Sequence, residues 1–98
     1  MDDFHIVVVL YAKEGRESEL HAALVAVVEP SRRDHGNLGY ELFSDQDDPR
    51  RFVFVEHWEN AEAQEKHHTK SPHILDFNRS GSDAVERVEF FYKLDRVV

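Results

Sequence analysis

The sequence has 98 residues, 41% hydrophobic and 33% charged, with few glycines or prolines; it has room for one domain, expected to span 1–98, and lacks the signature of disorder. Twenty acidic residues against twelve basic ones give a formal net charge of −8 with no Lys/Arg cluster to offset it, which excludes nucleic acid as a partner. The absence of cysteine rules out disulfides and thiolate catalysis, and with no signal-peptide pattern and no apolar run near the ~20 residues that span a bilayer, no membrane and a cytoplasmic location are expected.

From His5 to Tyr11 the chain reads HIVVVLY, a β-branched run too short for a comfortable helix, and this predicts a strand buried on both faces. Leu20, Ala23, Leu24, Val27 and Val28 then recur at helical spacing, with Glu17, Glu19, His21 and Glu29 largely between them. That is an amphipathic helix, which Pro30 should kink or end. Gly36, in His35-Gly36-Asn37, suits a positive-φ turn. Leu38, Tyr40 and Leu42 alternate with Gly39, Glu41 and Phe43 as a second strand. Asp45 to Pro49 make a polar turn, and Arg51 to Trp58 (RFVFVEHW) form a third strand, so an antiparallel hairpin is expected.

Asn60 can cap a short helix. Ser71 as N-cap and Pro72 at the first helical position start another, carrying Ile74, Leu75 and Phe77 and ending near Ser80-Gly81-Ser82. Val88, Phe90, Tyr92 and Leu94, alternating with Glu89, Phe91 and Lys93, predict a closing strand. The order is β-α-β-β-α-β, with the second helical segment broken in two. This is the ferredoxin-like, split-βαβ α+β fold: an antiparallel sheet with helices on one face.

The strands are apolar on both sides, with Phe52, Phe54 and Trp58 on one and Val53 and Val55 on the other. A lone subunit would expose a patch larger than soluble monomers usually carry. Pairing two sheets face to face removes it, so a homodimer through the sheet faces, a dimeric α+β barrel, is expected.

One ordered set of residues is more specific. Gly36 to Leu42, Asp48-Pro49-Arg50-Arg51-Phe52 and Glu56-His57-Trp58 are followed by Ala61 to Ala63, His68, Ser71-Pro72-His73 and Phe77. Together with Pro30-Ser31-Arg32, this series resembles the antibiotic biosynthesis monooxygenase family, which includes quinol monooxygenases and isomerases of phospho-sugar signals, over nearly the whole chain. The resemblance implies a cleft between sheet and helices in which an electron-rich phenol, anthrone or hydroquinone reacts directly with O₂, without metal or organic cofactor. Such chemistry needs a base near neutral pH, an apolar cavity for a flat ring and a donor for the developing oxyanion.

The resemblance places Trp58 in the cleft and makes a histidine the base. Counting nine residues on from Trp58 gives His67, whereas counting five back from His73 gives His68; both stay open as catalytic candidates. Trp58, Tyr40, Asn37 and Arg79 are the candidate donors, in that order, and Phe54 and Phe77 are candidate substrate-binding walls. Glu56 reads as a structural carboxylate, paired with an arginine or with backbone at the dimer interface. A metal is not expected: His67 and His68 diverge by ~100° on a helix, and the Ser71-Pro72 break interrupts helical spacing before His73, which should pack or bond locally. Haem degradation is disfavoured, because Val8 stands where haem-degrading relatives carry an asparagine. Two other readings remain: an isomerase of a small carbonyl or phospho-sugar compound using Arg32, Arg33 and Arg79, and a non-catalytic ligand-binding dimer.

Overall fold

The computed structural model describes residues 3–98; Met1 and Asp2, at the acidic start of the chain, lie outside the described residues. The elements are β1 (Phe4–Ala12), α1 (Glu17–Arg32), β2 (Asn37–Ser44), β3 (Arg51–Trp58), α2 (Ala61–Lys70), α3 (Pro72–Arg79), a 3₁₀ turn (Gly81–Ala84) and β4 (Val85–Leu94). The strands form one antiparallel sheet in the order β2-β3-β1-β4, which is the ferredoxin-like α+β arrangement.

Strand pleat decides which residues meet. Val8 lies opposite Phe54 and Leu10 opposite Phe52, so these side chains share the helix-covered face. With Ile6 and Trp58 they pack beneath Leu20, Leu24 and Val27 of α1, a stripe at positions i, i+4 and i+7. The opposite face carries Val7 and Val9, paired with Val55 and Val53 on one side and Tyr92 and Phe90 on the other. No described helix covers that face, and Val55, Phe43, Phe90 and Tyr92 are exposed on it. The first strand is therefore buried on one face and half-buried on the other within a single chain.

Several local expectations are corrected. Helix α1 runs through Pro30 to Arg32; the proline forfeits one ladder bond, but the turn after it closes through Arg33 N–H to the Pro30 carbonyl and Asp34 N–H to that of Ser31. Leu38 falls at a register shift between Asn37 and Gly39 and is exposed, so it leaves the inward alternation that Tyr40 keeps. A bulge in β4 puts Val88 opposite Leu10, on the side of Phe91 and not of Phe90. Phe90 and Phe91 are both exposed on this edge strand, Phe90 on the bare face and Phe91 on the helix side.

Two turns position the site. Gly36 has φ +84°, and a Cβ there would stand 2.6 Å from Ala63 Cβ, so the chain leaving α1 passes hard against α2 only with glycine at this point. Between α2 and α3, Ser71 is extended (φ −68°, ψ 130°) ahead of Pro72 at the first helical position, as a residue before proline should be. Asn60 caps α2 as expected, its Oδ1 accepting from Ala63 N–H at 2.8 Å. Ser71 makes no side-chain cap; its hydroxyl is used elsewhere.

Candidate functional site

Between the sheet and the helices lies an apolar cavity of about 110 Å³. Val8 and Phe54 form its floor, Leu24 and Val27 one wall, Ile74 and Phe77 another, and Phe91 part of its edge. Six polar side chains line it from four elements: Tyr40 of β2, Glu56 of β3, Gln64, His67 and His68 of α2, and Asn78 of α3. A larger open groove of about 490 Å³ runs along the outer side of α2. Its lining side chains, from His35 and Glu59 to Lys70, are charged or polar apart from Ala63.

The structure separates the two histidines. His67 is 4% exposed and stands in the cavity wall, its ring 4.7 Å from Trp58 and 5.4 Å from Tyr40 between centroids. His68, one step round the helix, is exposed and meets Phe91 edge-on at the cavity margin.

Asp34, from the turn after α1, stands behind His67. Its Oδ2 accepts from His67 Nδ1 at 2.7 Å and from the Ser71 hydroxyl at 2.8 Å. A carboxylate on Nδ1 keeps the proton there and leaves the lone pair on Nε2. Burial lowers the His67 pKa, against the opposing pull of Asp34, so the ring is neutral at pH 7 and able to accept a proton.

Trp58 is completely buried, and its indole N–H donates to Glu56 Oε1 at 2.9 Å. The group presented to the cavity is thus the Glu56 carboxyl, with the tryptophan behind it. Burial pushes the Glu56 pKa up to about 7, only partly countered by the indole bond. The structural role expected for Glu56 is corrected: it faces the helices and not the bare sheet face, and its partner is neither arginine nor backbone. Burial, reinforced by the Glu56 carboxylate, also raises the Tyr40 phenol above its ordinary value.

Other candidates fall outside the cavity. Asn37 donates to the Gly39 carbonyl at 3.1 Å, within its own turn, and Arg79 is exposed beside Asp76 at 3.4 Å. Asp34, Gln64 and Asn78 escaped the sequence reading. Asp34 left no signal beyond an acidic residue in a turn, and Gln64 looked like one more polar position on a short helix.

The sequence model described as antibiotic biosynthesis monooxygenase matches residues 3–80. The solved structure of PA3566 from Pseudomonas aeruginosa is 28% identical, with TM-score 0.92, covering 100% of this chain and 97% of that one. SO0527 from Shewanella oneidensis is 30% identical with TM-score 0.80, over 95% of this chain and 87% of that one. Among curated proteins, the uncharacterized protein sll1783 of Synechocystis sp. is 27% identical over 75 residues, which is 76% of this chain. The match spans 50% of that relative's length.

Proposed function

The chain belongs to the antibiotic biosynthesis monooxygenase family, and from that premise we propose that its cavity binds a small electron-rich aromatic, which His67 deprotonates for direct reaction with O₂. The observation that carries this reading is the Asp34–His67 pair in the wall of a mostly apolar cavity. Its neutral imidazole can take a phenolic proton where water is scarce, and the aryloxide formed is the species that reduces O₂. For a hydroquinone the balance is simple: one oxygen atom enters the ring, the other leaves as water, and the substrate supplies all four electrons as it becomes a hydroxyquinone. Glu56, protonated below about pH 7, is the group that can donate to the second substrate oxygen.

The cavity's modest volume, about 110 Å³ against the roughly 150 Å³ that holds benzene in another protein, supports a single-ring substrate over a three-ring anthrone. The phospho-sugar reading has less support. Arg32 and Arg33 pair with Glu29 and Arg79 with Asp76, and no cationic arginine or lysine lines the cavity.

Oxygen uptake with a panel of mono-, di- and tricyclic hydroquinones, each against a protein-free blank, tests this reading. Protein-dependent uptake should appear with the single-ring members and fall off with ring number. A ligand that binds tightly in the cavity yet drives no uptake would reassign the protein to non-catalytic binding.

The bare sheet face supports a homodimer through that face. Phe43, Val53 and Val55 continue across β1 into Phe90 and Tyr92, a contiguous apolar surface of the kind that associates. Light scattering on the purified protein should give twice the mass of the chain, and the double variant Val55→Asp, Phe43→Asp should give the chain mass. A wild-type protein that is monomeric at micromolar concentration would remove the dimer.

A further inference from the structure

His73, expected to pack or bond locally, lies against His67 and close to Asp34. The bend at Ser71-Pro72 does not separate His73 from His67 but folds α3 back, leaving the two rings 5.8 Å apart between centroids. Both rings lean on one carboxylate oxygen: Asp34 Oδ2 is 2.7 Å from His67 Nδ1 and 3.2 Å from His73 Nε2. The two contacts differ in kind. His67 Nδ1 makes a hydrogen bond, whereas His73 Nε2 is buried and has no hydrogen-bond partner despite its distance. A buried ring nitrogen aimed at a carboxylate but off the hydrogen-bond line calls for another partner.

We propose that Asp34, His67 and His73 form a binding site for a divalent transition-metal ion of the zinc class, lying behind His67 on the side away from the cavity. Two imidazoles and a carboxylate are the donor set such ions prefer, with a fourth position left to water. Donors on a tetrahedral zinc stand about 3.3 Å apart for bonds of ~2.0–2.1 Å, and all three donor atoms here lie within 4.8 Å of one another. Small side-chain rotations close the difference. The Ser71 hydroxyl already donates to Asp34 Oδ2 and would hold the carboxylate in place as an outer-shell partner. His73 and Asp34 are 15% and 22% exposed, which gives the ion a way in.

Occupancy has a consequence that rests on the base assigned to His67 above. A neutral imidazole that gives Nδ1 to a metal carries its proton on Nε2, the nitrogen the reaction needs free. Metal binding would then silence turnover without entering the cavity.

Titration of the metal-free full-length protein with CoCl₂, and then ZnCl₂ in competition, tests the site. We expect one Co²⁺ per chain, with the intense visible bands of four-coordinate cobalt, displaced by Zn²⁺. His73→Ala should weaken uptake by more than about tenfold, as should the gentler His73→Gln if the alanine variant folds poorly. Asp3, His5 and His57 form the other cluster of this kind among the described residues, so His57→Ala is the control. Absence of stoichiometric Co²⁺ uptake by folded wild-type protein, or uptake that survives both His73 variants, overturns the proposal. Uptake lost in His57→Ala and kept in the His73 variants does so too, assigning the ion elsewhere. Because cobalt binding is read without turnover, this test is independent of whether His67 is a base.

Discussion

His67→Ala is expected to lower kcat/KM for a single-ring hydroquinone by about 10²–10⁴, the usual worth of a positioned general base. The loss should fall on kcat, because the ring sits in the wall of the cavity and not across it. Asp34→Asn separates positioning from mere presence of the imidazole. The asparagine amide can donate to Nδ1, which stabilises the tautomer carrying its proton on Nε2 and so removes the base while leaving the ring in place. Both variants should therefore fail in the chemical step with ligand binding largely kept. His68→Ala, at the exposed margin beside Phe91, should act mainly on KM. Steady-state oxygen uptake, with circular dichroism to confirm folding, makes the comparison. If His67→Ala turns over as fast as wild type while bound ligand still consumes O₂, the base is not His67, and Glu56 and His68 become the cavity groups to test next.

The fold was readable because its signals are periodic and local. The alternation in RFVFVEHW fixes which residues of β3 face the helices, and Leu20, Leu24 and Val27 mark the buried stripe of α1. Misses came where one residue breaks the period: the shift at Leu38, beside Gly39, and the bulge in β4 each turn a side chain to the other face, and the β4 bulge has no Gly or Pro to announce it. The candidate site was half legible. The tryptophan and the histidine pair stood out by residue type. Which histidine faces inward depends on the phase of a ten-residue helix, and two rival countings differed by one residue, the step that turns a side chain by ~100°.

Asp34 lay beyond reach for a different reason. It is 33 residues from His67 and 37 from Ser71 along the chain, and only the crowded turn at Gly36 brings it against α2. The Ser71-Pro72 break does interrupt the helix, yet it leaves His73 beside His67. A proline fixes where a helix starts, whereas the sense in which it turns is decided by what the next helix packs on.

Glu56→Gln is expected to stabilise the protein above neutrality and to change little in acid. The folded protein holds the Glu56 carboxyl at about 7, against an ordinary value of 4.5, so between those two values the folded state binds a proton that the unfolded state has released. Stability must then fall as pH rises through that interval. The contribution is fully present below about 4.5 and gone above about 7, a loss on the order of 3 kcal/mol at 1.36 kcal/mol per unit. Glutamine keeps an oxygen to accept the Trp58 N–H but cannot ionise, so it escapes the loss. Thermal unfolding at pH 8 should show the variant melting more than about 10 °C above wild type, since ~1 kcal/mol moves a domain of this size by ~4–8 °C. At pH 4.5 the two curves should nearly coincide. Parallel curves across the whole range would mean that Glu56 ionises as an ordinary surface carboxylate and is not held neutral by its surroundings. The same substitution bears on activity: if the protonated carboxyl is the donor to substrate, wild-type kcat/KM should decline above about pH 7, and Glu56→Gln, whose amide N–H₂ donates at every pH, should lose that decline. A buried acid retained at such a cost beside a neutral histidine is the arrangement expected where two groups must hold opposite proton states at one pH.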